Sequence, residues 1–210
     1  MSRDPKNIIF DLGGVIINLN IDRTISAFNK ESEFSFGKIY ESPANQELFG
    51  LLEKGKISDN DFFAELRRQS RFTGSDQEML SAWNAMLLDV PEERLESLIE
   101  MKHNYNTYLL SNTNELHIEA FEKELENEHG IKNFDDYFDK VYYSCRMGMR
   151  KPDKEIFEFV IQQNNLKPEE TIFIDDSPQH VKAAGELGIN AYLLQKNMSV
   201  NDLLRQLKLL

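Results

Sequence analysis

Cysteine is nearly absent: Cys145 is the only one in 210 residues. No internal disulfide can form, and a single thiol, buried or idle, suits a reducing compartment. Long hydrophobic runs are also missing, and no stretch approaches transmembrane length. The longest N-terminal apolar stretch, Ile8 to Leu19, is interrupted by Asp11 and Asn18. It has neither a basic leader nor a small-residue cleavage site, so a cytoplasmic protein without a secretory signal is expected. Basic charge is scarce, with 24 Lys and Arg against 36 Asp and Glu and a formal net charge of −12. That balance excludes a broad polyanion-binding surface, and with it nucleic acid as a partner. A small anion would need a local cationic pocket. Arg146, Arg150 and Lys151 are close enough in sequence to supply one, although such a cluster is ordinarily a solvated basic loop. There are no internal repeats, low-complexity tracts or Pro/Gly-rich linkers.

What the chain does have is the balance of a folded, soluble globular protein, 40% hydrophobic and 29% charged. Its length suits one large domain, or one domain carrying an insertion. Ile8-Ile9-Phe10, Thr107 to Leu110, Thr171 to Ile174 and Ala191 to Leu194 read as strands. Their apolar residues run on without polar alternation, as in parallel strands covered on both faces. Helical stripes lie between and after the later strands: Leu95, Leu98 and Ile99 following Pro91; Ile156, Phe157 and Val160 following Pro152; Val181, Ala184 and Leu187; and Val200, Leu203, Leu204 and Leu207. This alternation predicts a doubly wound parallel α/β sheet. The gap from Asn18 to Val90 is too long for a βα loop. Within it Ser58 with Asp61, and Ser75 with Glu78, resemble helix starts ahead of Phe62, Phe63 and Leu66 and of Met79, Leu80 and Trp83. We therefore expect a core domain over 1–17 and 91–210, with an all-helical domain over 18–90 inserted into a loop at the sheet's edge.

Polar groups follow three of the strands: Asp11, Ser111-Asn112 and Asp175-Asp176. Each alone could be a turn or a helix cap. In a parallel sheet, however, the carboxyl ends lie on one edge, so these residues converge in one crevice. Asp11, Asp175 and Asp176 would repel one another there unless a cation or raised pKa values relieved them. Oxygen ligands without nearby Cys or His point to Mg²⁺. Lys151, in Gly148-Met149-Arg150-Lys151-Pro152, would supply a point charge for a phosphate. Ser111, Asn112 and the backbone amides of Leu12-Gly13-Gly14 would supply hydrogen bonds.

Four segments in order, Phe-Asp-Leu-Gly-Gly-Val, Leu-Leu-Ser-Asn-Thr, Gly-Met-Arg-Lys-Pro-Asp and Phe-Ile-Asp-Asp-Ser, resemble the motifs of the haloacid dehalogenase superfamily. The likeness extends over the whole chain, including a helical cap after the first strand. It is greatest to cap-bearing sugar phosphatases of the α-glucose-1-phosphate phosphatase kind and to the phosphatase domain of bifunctional epoxide hydrolases. The resemblance implies a Rossmann-like core and a Mg²⁺-dependent phosphatase acting on a small phosphorylated metabolite. It implies Asp11 as nucleophile, forming an aspartyl-phosphate, and Mg²⁺ held by Asp11, the backbone carbonyl of Gly13 and Asp176, with Asp175 a ligand or just behind. Ser111 and Lys151 would stabilise the transferring phosphoryl group.

Gly13 departs from that pattern, since most phosphatases of the superfamily have aspartate there, whose side chain acts as general acid. Glycine keeps the carbonyl and loses the acid. A good leaving group would reduce the loss, which favours an anomeric sugar-1-phosphate. Two rivals remain. A haloacid dehalogenase would need no metal and would not keep Asp175-Asp176, and a phosphometabolite sensor would need no acid. A dinucleotide site is disfavoured because Gly13-Gly14 lacks the third spaced glycine. Among the histidines, His180 is expected to share a helix face with Asp176 in a supporting role, while His103, His117 and His129 are surface or structural. Trp83 and Phe62 read as core of the inserted domain, and the acidic run Glu119 to Glu128 as a solvated helix face.

Overall fold

The computed structural model describes residues 4–210; residues 1–3, which the expected core segment includes, lie outside it. β1 (Asn7–Phe10) is the middle of a five-stranded parallel sheet. After it come α1 (Ile21–Lys30), α2 (Phe36–Tyr40), α3 (Pro43–Glu53), α4 (Asp59–Ser70) and α5 (Asp76–Asn84). The chain then continues through α6 (Glu92–Asn104), β2 (Asn106–Ser111), α7 (Glu115–His129), β3 (Lys140–Tyr143), α8 (Ser144–Met147) and α9 (Lys154–Gln163). It ends with β4 (Thr171–Asp175), α10 (Pro178–Glu186), β5 (Asn190–Leu193) and α11 (Val200–Gln206). The sheet order is β3-β2-β1-β4-β5, so the direction of winding reverses between β1 and β4. Ligand crevices of open α/β sheets form at that reversal.

Side-chain alternation explains why the strands are apolar throughout. Ile8, Phe10, Leu109, Ile172 and Ile174 face a core built with α6, α7 and α11. Ile9, Tyr108, Leu110 and Phe173 face the opposite layer, where α9 and α10 contribute Ile156, Phe157, Val160 and Ala184. All four expected strands are present. The fifth, β3, escapes a search for continuous apolar runs because it is an edge strand reading Lys-Val-Tyr-Tyr, with Lys140 exposed and Tyr142 and Tyr143 buried. In α6 the buried face is Leu95, Leu98 and Met101, whereas Ile99 is 57% exposed and does not belong to the stripe assigned to it.

Helices α1–α5 have their own apolar cluster, centred on Phe28, Phe36, Phe62, Leu66, Met79 and Trp83. Phe28 and Phe36 stack at 3.9 Å, and Phe62 meets Trp83 edge-on at 4.8 Å. The expected starts are present: Ser58 accepts from Asp61 N, and Ser75 with Glu78 forms a reciprocal capping box. Two crossing segments tie this insertion to the core through Asn18 N to Asp89 O, Leu88 N to Asn18 O and Asn20 N to Met86 O, each 2.9–3.0 Å. The insertion leaves from the carboxyl end of the central strand β1, which sets it above the crevice. Among the described residues no helix is long and apolar enough to cross a membrane.

His117 of α7 fastens the insertion from the core side. Its ring stacks on Trp83 at 5.1 Å, with Nδ1 3.2 Å from Asn114 Nδ2 and Nε2 3.4 Å from Trp83 O. Burial pushes its pKa from 6.5 down to about 4, against a smaller upward pull from the Trp83 carbonyl. The folded protein therefore takes up this proton later than the unfolded chain does. The stabilising difference is complete above about 6.5 and is lost as pH falls toward about 4. His117→Gln should flatten the fall in the denaturant midpoint between about pH 7.5 and pH 5; an unchanged slope would assign the acid sensitivity elsewhere.

Candidate active site

The three central strands end in step. Phe10 is paired with Leu109 on one side and Ile174 on the other, so Asp11, Leu110 and Asp175 stand level at the sheet's carboxyl edge. Lys151 Nζ lies among them, 2.7 Å from Asp11 Oδ1, 2.7 Å from the Leu110 carbonyl and 2.7 Å from Asp175 Oδ2. Its side chain is wholly buried, so each ammonium proton has one acceptor and water has no access. Asn112 fixes the lysine's backbone, with its Oδ1 accepting from Lys151 N and its Nδ2 donating to Lys151 O, both at 2.8 Å. That carboxamide is thereby committed to Lys151, and a hydrogen bond from Asn112 to a ligand falls to its backbone N–H. Ser111, the last residue of β2, is 2% exposed beside it.

Asp175 is further held by Ser177 N at 2.7 Å and by His180 Nδ1, 3.0 Å from both carboxylate oxygens. His180 thus serves Asp175 rather than sharing a helix face with Asp176. Asp176 precedes the first residue of α10, so helical spacing does not govern it. Burial pushes all three acids upward, but the outcomes differ. For Asp175 the nearby Lys151 charge and the His180 contact outweigh burial and hold its pKa low. For Asp11 burial prevails over Lys151, and Asp175 adds to the rise. Asp176 is raised by burial and then by Asp175. Lys151 is held charged because Asp11 and Asp175 overcome its own burial.

One oxygen from each of Asp11, Asp175 and Asp176 lies within 4.8 Å of the others. Among the described residues Lys151 is the only lysine or arginine in hydrogen-bond contact with them, so three carboxylates face one fixed positive charge. A donor set made only of carboxylate oxygens fits a hard divalent cation. Gly14, at φ +74°, brings the turn after β1 against Asp176, because any Cβ there would collide with Asp176 Oδ2. At Gly13 a Cβ would instead stand 2.6 Å from Cδ1, the tip of the Leu19 side chain. Leu19 therefore fills the place of a side chain at position 13.

Leu19 also separates two hollows. A crevice of about 670 Å³ runs from Gly14 and Asp176 past Leu19 to Lys196. A smaller cavity of about 210 Å³, between insertion and core, is walled by Leu19, Phe49, Trp83, Tyr40, Glu53 and Arg150 among others. The three cations of the basic segment do not form one pocket. Arg146 is bidentate to Glu115 at 2.9 Å, Arg150 faces Glu53 at 3.0 Å, and only Lys151 reaches the carboxylates. Cys145 is inert, its thiol pushed up to about 12 by burial and by Glu115. The acidic run Glu119 to Glu128 is solvated as expected, and Trp83 and Phe62 are buried in the insertion. Trp83 also walls the cavity, and Leu19, Tyr40 and Glu53 were not distinguished by sequence. Glu53 alone left a trace, as an acid at the carboxyl end of a helix, where the macrodipole disfavours it.

Residues 5–188 match the haloacid dehalogenase-like hydrolase family. The chain is 33% identical to a D-ribitol-5-phosphate phosphatase of Bacteroides thetaiotaomicron, covering 89% of this chain and 90% of that protein. It is 30% identical to a sesquiterpene phosphatase of Aspergillus oryzae, covering 96% of each. Among solved structures, a haloacid dehalogenase family enzyme of Bacteroides thetaiotaomicron in complex with magnesium and inorganic phosphate superposes with a TM-score of 0.88. It is 35% identical, with 96% of this chain and 99% of that one covered. The chain belongs to the haloacid dehalogenase-like hydrolase family.

Removing the buried ammonium leaves Asp11 and Asp175 facing each other without compensation. Lys151→Met should cost about 3–5 kcal/mol near pH 8, the range for breaking a buried ion pair. Without Lys151 the folded carboxyls bind protons more readily than the unfolded ones, so the loss should shrink as pH is lowered. Denaturant unfolding of the metal-free protein at both pH values checks this, and a loss independent of pH would contradict the account.

Proposed function

We propose that the protein is a Mg²⁺-dependent phosphatase for small phosphorylated metabolites, with Asp11 as nucleophile and a sugar-1-phosphate as preferred substrate. The observation that carries this reading is the Asp11 carboxylate at the end of the central strand, 2.7 Å from a wholly buried lysine. Asp175 and Asp176 lie close enough to share a cation with it. The family and the phosphatases similar over nearly the whole chain support it. Asp11, Asp176 and the Gly13 carbonyl would hold the Mg²⁺, with Asp175 a ligand or just behind. The ion would neutralise phosphate charge and polarise a phosphoryl oxygen.

The chain's own residues then divide the work. An Asp11 oxygen attacks phosphorus as the bond to the leaving oxygen breaks, giving an aspartyl-phosphate and an alkoxide that takes its proton from water. A second water attacks the acyl-phosphate, releasing inorganic phosphate and regenerating the carboxylate. Lys151, Ser111 and the backbone N–H groups of Leu12, Gly13 and Asn112 stabilise charge on the phosphoryl oxygens. Position 13 supplies no proton, and Leu19 in its place is apolar. The substrate must therefore bring its own acidity, and an anomeric hydroxyl is more acidic than an ordinary alcohol.

Hydrolysis of a panel containing glucose 1-phosphate, D-ribitol 5-phosphate and phenyl phosphate tests the reading. Mg²⁺-dependent turnover by the wild type and its loss to background in Asp11→Asn are expected. Turnover surviving in Asp11→Asn would remove Asp11 from the mechanism, and no turnover on any ester would favour a binding-only sensor.

The same panel tests position 13. The obstacle at position 13 is the tip of the Leu19 side chain, which is 39% exposed, so Gly13→Asp requires that side chain to rotate outward. The restored acid should raise kcat on the alkyl ester D-ribitol 5-phosphate, within the roughly 10²–10⁴-fold reach of general acid catalysis. It should do less for glucose 1-phosphate, and equal effects on both would refute the leaving-group argument.

A further inference from the structure

Glu53 occupies an unfavourable position. It is the last residue of α3, where a carboxylate opposes the helix dipole. It is drawn out of bulk water, with 26% of its side chain still open. Burial pushes its pKa up, while Arg150 and, more weakly, His180 and Lys151 pull it down, which places it within the field of the catalytic group. Its direct partner among the described residues is Arg150 Nε, 3.0 Å from Oε2, and Oε2 receives no well-aligned hydrogen bond. Arg150 in turn leans on α3 at Gly50, where a Cβ would stand 2.8 Å from Nη1, and its Nε also lies 3.3 Å from the Lys151 carbonyl. Oε2 is closed off against Arg150, so the open part of the carboxylate is Oε1, an acceptor on the wall of the 210 Å³ cavity that Arg150, the residue before Lys151, also lines.

We propose that Glu53 is a specificity-determining residue whose carboxylate accepts hydroxyl hydrogens of the leaving group's carbon skeleton, with Arg150 holding it in place. The inference rests on the phosphatase reading and names the substrate feature that reading leaves open. The cavity has the volume of about seven liquid waters, which suits a short carbon chain or single ring. Phe49 and Trp83, 5.9 Å apart between centroids, give it an apolar wall for C–H faces. Glu53, Arg150 and Gln46 give it acceptors and donors for hydroxyls. A hydrocarbon skeleton would instead desolvate the Glu53–Arg150 pair and return no hydrogen bond, a cost that excludes it.

The test compares kcat/KM for glucose 1-phosphate with that for phenyl phosphate, whose leaving group carries no further hydroxyl. In Glu53→Gln the ratio should fall about ten- to a hundredfold, the scale of a hydrogen bond to a charged group. The change should reside mainly in KM for the sugar ester, because binding uniform to ground and transition states is what is lost. An unchanged ratio, or a kcat that falls alike on both esters because the Lys151 loop has shifted, overturns the inference. A measurement on the unmodified protein stands independently of any folding defect. Free glucose should compete with phenyl phosphate hydrolysis where cyclohexanol does not, and equal competition or none overturns the inference. Absence of wild-type turnover on every ester would overturn the phosphatase reading and this inference with it. Turnover with no hydroxyl discrimination would overturn this inference alone.

Discussion

Lys151 has three protons on its ammonium and three acceptors at 2.7 Å, supplied by residues at the ends of β1, β2 and β4. A charge buried this completely is tolerated only when it is paired and hydrogen-bonded at every donor. The requirement reaches back into the sheet. Asp11 and Asp175 must be level with Leu110, which the parallel register delivers, and a slip of one residue in either strand would send a carboxylate to the wrong face. It also reaches forward into the loop after α8, where the Asn112 carboxamide grips the Lys151 backbone and Ser144 ties the neighbouring turn through Thr113. The sheet's central strands, its crevice and its chemistry are thus set by the needs of one ammonium group.

The same loop carries the insertion. On either side of Lys151, Arg150 pairs with Glu53 and Asp153 with Lys54, so two successive residues at the end of α3 hold two points of one core loop. Lys54–Asp153 is well exposed and adds little stability by itself. Its effect is to fix orientation, since a pair of contacts of opposite polarity defines how α3 meets the loop. Trp83 on His117 and the paired segments around Asn18 and Leu88 supply the other attachment. The insertion is held at both its chain crossing and its far end, with the smaller cavity enclosed between.

Much of this arrangement was legible because the informative residues obey local rules. Ile8-Ile9-Phe10-Asp11 and Thr171 to Asp175 are buried runs that end in acids, and Ser75 with Glu78 is a complete capping box, all readable without neighbours. Burial imposed by tertiary packing was not legible. Ile99 has the spacing of a core residue yet faces solvent, because α6 presents Met101 instead. His180 looked like a partner of Asp176 by helical spacing, but the helix begins after Asp176 and the ring turns to Asp175. Arg146 and Arg150 looked like companions of Lys151, and each is taken by an acid from a distant segment. Leu19 and Glu53 owe their places entirely to how the insertion returns over the sheet.

Position 13 shows how an absent side chain reorganises a site. An aspartate there would put a proton donor at the boundary between the phosphate and the leaving group. Leu19 puts a methyl group in that place instead, 2.6 Å from where the Cβ would be. For the proposed phosphoryl transfer the exchange would remove acid catalysis, but an apolar wall would also lower the local dielectric and strengthen the attraction of phosphoryl oxygens to Lys151. On the proposed phosphatase reading, such a site would rely on electrostatics for the phosphoryl group and would ask the leaving group for an acidic hydroxyl. Selection by the leaving group would then happen beyond Leu19, in the cavity that Glu53 and Arg150 line beside Phe49 and Trp83. An insertion clasped at both ends can keep those four side chains in register with Asp11, and a loosely tethered one could not.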